Sequence, residues 1–156
     1  MALHFGFDPT HRILAGWFSG QVTDEELTNF YRMATLLSDA LDPLAGLTDF
    51  SAVEVFEVSP ETIRMLARFP PIIPQQDRIR VVVASTDYIN EMAQTFQVEG
   101  QGTRPNLHVV RTVQEAWTIL GAHEANFKAI SEVLEASNRF KGHHGSSRKG
   151  AAGGKD

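Results

Sequence analysis

Arg78-Ile79-Arg80-Val81-Val82-Val83-Ala84 is the stretch whose reading decides the fold. Its three consecutive valines are β-branched and suit a pleated strand. They lack the polar alternation of a strand with one wet face, so cover is expected above and below. Strands of that kind lie inside parallel sheets. On the N-terminal side, SPETIRMLARF (residues 59–69) has helical periodicity and stops at Pro70-Pro71. On the C-terminal side, Ile89, Met92, Ala93 and Phe96 recur at helical spacing behind Asp87, a candidate cap. A strand between two helices is the building unit of a wound α/β sheet.

The pattern extends outward in both directions. AGLTDF (residues 45–50) and LHVV (residues 107–110) read as further strands. Thr23 and Glu26 form a capping box ahead of a stripe made by Leu27, Phe30, Tyr31, Ala34 and Leu37, and Asp42-Pro43 stops that helix. At the start of the chain Leu3, Phe5 and Phe7 alternate with polar or small residues. After the turn Asp8-Pro9-Thr10-His11, Ile13, Ala15 and Trp17 share one face and Leu14, Gly16 and Phe18 the other, which predicts a hairpin. Beyond LHVV a second capping box, Thr112 with Glu115, opens a helix through Ala116, Trp117 and Leu120. Phe127, Ile130, Val133 and Leu134 form a last apolar stripe. The predicted order is β-β-α-β-α-β-α-β-α in a mixed, mostly parallel five-stranded sheet, with a C-terminal helical extension. The expected division is a domain over 1–122, a helix over 123–140 lying on it or on a dimer mate, and a disordered basic tail over 141–156.

Composition narrows the function classes. The chain has 156 residues, 42% hydrophobic and 21% charged, within the range of one globular domain. It has no cysteine, which removes disulfides, thiolate catalysis and Cys-ligated metals. The net charge is −5 although the tail carries Lys141, Arg148, Lys149 and Lys155 against Asp156, so the body is acidic and ill-suited to nucleic acid. No basic-then-apolar leader opens the sequence, and no apolar run reaches the roughly 20 residues that span a bilayer. The expectation is a soluble cytoplasmic protein, monomeric or homodimeric.

In order, WFSGQVTDEEL, TDFSAV, RIRVVVAS and HVVRTVQEAWTIL resemble the STAS superfamily, the anti-sigma-factor-antagonist fold. More narrowly they are similar to the SpoIIAA-like proteins related to the CRAL-TRIO lipid-transfer fold. The resemblance covers residues 3–121. It implies β–α turns wound into one sheet and a regulatory, protein-binding, non-enzymatic role; the lipid-transfer relation implies, as an alternative, a carrier of a small apolar or lipid-like ligand. In members of the superfamily an Asp-Ser-Ser-Gly stretch opens the second helix, and a partner kinase phosphorylates its second serine. Counting without a gap from Asp49-Phe50-Ser51, Ser59 matches that serine, whereas Glu57, Val58 and Pro60 depart from the pattern.

Ser59 is thus a candidate phosphorylation site, but a serine before proline is also a ready helix cap. A phosphate there would meet a partly positive helix terminus and the opposing charges of Glu57 and Glu61. A candidate interaction surface comprises Glu61, the strand-end carboxylates Asp49 and Asp87, and the stiff apolar link Phe69-Pro70-Pro71-Ile72-Ile73-Pro74, which could meet a partner or line a small pocket. Trp17, Phe30, Met65, Phe69, Met92 and Phe96 are candidates to line an apolar cavity. His4, His11, His108 and His123 lack metal-ligand spacing, and Gly100-Gln101-Gly102 follows a helix instead of a strand, so neither metal nor phosphate cofactor is expected. No serine nucleophile elbow is present, which leaves a small enzyme using Asp49 or Asp87 as the least favoured class.

Overall fold

A computed structural model describes residues 2–136. Its elements are β1 (Ala2–Asp8), β2 (Ile13–Thr23), α1 (Asp24–Leu41), β3 (Ala45–Glu57), α2 (Pro60–Arg68), β4 (Ile79–Val83), α3 (Asp87–Glu99), β5 (Leu107–Val110) and α4 (Val113–Leu120). A 3-10 turn (Glu124–Asn126), β6 (Lys128–Ala129) and a helix over 130–136, here α5, complete the described chain. The sheet runs β5-β4-β3-β2-β1-β6. The pairs β2–β3, β3–β4 and β4–β5 are parallel, whereas β1 pairs antiparallel with both β2 and β6.

Three successive β-α-β units therefore step the same way along the sheet, and crossovers of one hand place α1, α2 and α3 on one face. Phe18, Phe30, Phe50, Ile63, Leu66 and Met92 form the core there. The opposite face is covered by α4, with Ala116 packed among Ala15, Leu47, Val81, Val83 and Val110. The valine strand lies between β3 and β5, and Val81 and Val83 are fully buried. Its lack of alternation is explained by a helical layer on either side. At Gly16 on β2, a Cβ would stand 2.7 Å from Phe30 Cε1, so only glycine lets that ring press onto the sheet.

Three sequence expectations need correction. Among the described residues the sheet has six strands, not five, because part of the expected helical extension is β6, with Gly6 opposite Ala129 and Phe7 opposite Lys128. Two residues cannot display an alternation, and what sets them down beside β1 is Phe127, whose ring meets Trp17 at 5.4 Å and Trp117 at 5.7 Å between centroids. Second, β3 continues well past Phe50 to Glu57, pairing with β2 while β4 ends opposite Asp49. Third, Thr86 rather than Asp87 caps α3, its side chain accepting the Ile89 N–H. Both threonines cap their helices, Thr23 Oγ1 accepting from Glu26 N–H and Thr112 Oγ1 from Glu115 N–H, while the Glu26 and Glu115 carboxylates accept the threonine hydroxyls. Residues 137–140 of the expected extension and the basic tail 141–156 lie outside the described residues. No helix among those described is long and apolar enough to cross a membrane.

Because Val83 is fully enclosed and Val98 is 71% exposed, truncating them should separate cleanly. Val83→Ala is expected to lower the unfolding free energy by about 2 kcal/mol in urea titrations, and Val98→Ala to change it by less than about 0.5 kcal/mol.

Candidate functional site

Between α2 and β4 the chain must cross from the helix layer to the sheet, and residues 69–78 do so with few backbone partners of their own. Two buried arginines supply the missing donors. Arg104, just ahead of β5, donates from Nη1 to Ala67 O at 2.8 Å and from Nη2 to Phe69 O at 2.9 Å and Leu66 O at 3.3 Å. These are carbonyls of the last turn and cap of α2, where a helix runs short of internal donors and has its negative pole, although Leu66 O also accepts the Phe69 N–H. Arg80, on β4, donates to the carbonyls of Ile73, Gln75, Gln76 and Arg78. Tyr31 on α1 joins the two layers: its hydroxyl accepts from Arg104 Nη2 and donates to Pro70 O at 3.1 Å. The Arg104 guanidinium also lies over the Phe96 ring, 4.9 Å from its centroid.

Beneath this clasp is a cavity of about 130 Å³ between the sheet and helices α1, α2 and α3. The sheet side offers Leu14, Gly16, Gly46, Thr48 and Val82; the helices offer Leu27, Phe30, Ala34, Ile63, Leu66 and Phe96. Ile72 and Ile73 cover it from the link, and Arg80, Arg104 and Tyr31 provide its polar end. Gly46 permits this closure, since a Cβ there would crowd Ile73 Cδ1 at 3.2 Å. Burial pushes the Tyr31 pKa up, opposed by the charge of Arg104 and its hydrogen bond. Burial, and then the charge of Arg104, push the Arg80 pKa down. A guanidinium nonetheless stays protonated.

The residues singled out in the sequence distribute themselves around this centre rather than in it. Ser59 caps α2: its Oγ accepts the Thr62 N–H at 3.2 Å, and its own N–H donates to Asp24 Oδ1 at 2.8 Å. Glu61 is exposed in the first turn of α2. Asp49 is buried within β3, where its Oδ1 accepts the Ser51 N–H at 2.8 Å. Asp87 is almost wholly exposed and pairs with Arg111 at 2.9 Å. In the link, Pro70 is exposed, Phe69 and Pro71 are half-buried, and Ile72 and Ile73 point into the cavity. Of the six proposed lining residues only Phe30 and Phe96 line it. Trp17 packs on the opposite face against Phe127, Met65 is exposed, and Met92 and Phe69 belong to the surrounding core.

Arg80, Arg104 and Tyr31 were not foreseen. One signal lay in the sequence: Arg80 interrupts a strand whose neighbours are apolar, and an arginine there needs buried acceptors. Arg104 sits in a polar loop, and nothing nearby in the chain marks it as buried. No model of a known protein family matches the chain, and no curated protein matches it.

Ser59→Ala removes the cap and is expected to reduce stability by about 1 kcal/mol in chemical denaturation. Tyr31→Phe leaves Pro70 O and an Arg104 donor without their shared partner, so a larger loss of about 2 kcal/mol is expected from the same measurement.

Proposed function

We propose that this is a non-catalytic binding module of SpoIIAA-like type whose ligand is a small apolar molecule held between the sheet and helices α1–α3. The observation that carries the reading is the partly open cavity of about 130 Å³, lined on nearly every side by apolar groups. Well-packed interiors leave few voids larger than a water molecule. A dry apolar cavity of about 150 Å³ is known to take up benzene, so this one suits a body of about six carbons. Pre-formed, mostly apolar pockets with a few convergent polar groups are the usual form of small-molecule sites.

The carrier reading is favoured over a purely protein-binding one because the apolar link at Phe69–Pro74 turns its isoleucines inward, leaving chiefly Pro70 and Pro74 exposed. A regulatory role fits with it: the link covers the cavity, so ligand occupancy would be felt at the surface a partner meets, near Pro70 and the exposed Glu61. Ser59 serves this module as a cap, its hydroxyl already engaged at the start of α2.

Ligand binding to the folded state raises the melting temperature with concentration, so thermal unfolding tests the proposal directly. Benzene and 1-hexanol are expected to raise the Tm of the full chain in a dose-dependent way. In Ala34→Leu, whose added carbons occupy the same space, the dose dependence should vanish whatever the starting Tm. A wild-type Tm that ignores both compounds overturns the reading.

A further inference from the structure

We infer that the cavity's ligand is an anion, a small carboxylate whose apolar body fills the cavity and whose head lies against Arg80 and Arg104. The inference rests on the binding reading above and adds the charge of what is bound.

Its first support is an imbalance of charge. Arg104 is 3% exposed and Arg80 8% exposed, yet among the described residues neither takes part in an ion pair. Asp77 favours the charged form of Arg80, but it stands exposed in the link. Burying a charge is strongly unfavourable unless an opposite charge accompanies it. Here two cations border a single cavity, and each disfavours the other. The carbonyls of residues 66–78 satisfy the Nη hydrogens, but carbonyls bring only partial charges. Hydrogen bonding is complete at those atoms and charge is not.

Free donors are the second support. Every hydrogen bond of the two guanidinium groups to the described residues leaves from Nη1 or Nη2. No fully buried side-chain nitrogen or oxygen among the described residues is without a partner. The Nε–H of each arginine therefore keeps a little exposed surface and has no partner among the described residues.

The third support is selectivity. Apart from the arginines, the polar side chains lining the cavity are Tyr31 and Thr48, both neutral. An amine would meet two like charges, and an alcohol would leave both unanswered. A carboxylate matches the planar guanidinium in shape and charge. With room for about six carbons, hexanoate is a fitting probe.

The test compares hexanoate, 1-hexanol and hexylamine on the full chain at pH 7, read by Tm and by the Nε–H resonances of Arg80 and Arg104 in NMR titrations. Hexanoate is expected to bind at least tenfold tighter than 1-hexanol and to shift both arginine resonances, with hexylamine the weakest. In Arg80→Gln both affinities change as the link loosens, but the ratio of hexanoate to 1-hexanol affinity should fall at least fivefold. Should that variant not fold, the wild-type comparison decides alone. Equal affinities for hexanoate and 1-hexanol overturn the anion and leave the apolar site standing, whereas failure of all three compounds removes the site itself.

Discussion

Two guanidinium groups hold the link between α2 and β4 in place, and the arrangement of the helix layer follows from that. An α2 ending on the sheet face presents orphan carbonyls to an apolar interior, where each would be strongly unfavourable without a donor. Arg104 reaches them from the loop before β5, and Arg80 reaches the carbonyls further along from β4. Residues distant in sequence thereby close one loop. Tyr31, bonded to both Arg104 and Pro70 O, ties the same point to α1. Without these contacts Ile72 and Ile73 would have no reason to lie over the cavity.

Burying side chains as polar as these beside a void is an unusual solution, and it has two effects at once. Long arginine stems cover apolar surface while their heads gather carbonyls. The positive charge they bring is not cancelled within the described residues, so the polar end of the cavity has a sign. Structure and electrostatics at this point are one arrangement: the groups that secure the link are the groups that set the character of the space below it.

How much of this could be read from the chain depended on the range of the interaction. Local signals served well: the Thr23 and Thr112 caps, the Ser59-Pro60 helix start and the valine strand all act within a few residues. Asp87 misled because Thr86 beside it offered the hydroxyl that caps α3. Longer-range features were hidden. β6 forms because Phe127 finds Trp17 and Trp117, contacts that no periodicity encodes. The cavity lining was anticipated at Phe30 and Phe96, where helical stripes face the sheet, and missed at Trp17, where the pleat sends the ring to the other face. Arg104 was invisible because its carbonyl acceptors lie 35 or more residues away along the chain.

The overhang of β3 has a further consequence. From Ala52 to Glu57 it keeps β2 as its neighbour after β4 has ended, which exposes a flank able to template a foreign strand. Several features blunt it. Register shifts interrupt the β2–β3 ladder near Ser19 and Gln21, Glu54 and Glu57 place like charges along the strand, and Asp49 occupies the Ser51 N–H with its own carboxylate. Acidic side chains and broken pleating thus stand where another strand would otherwise pair with this margin.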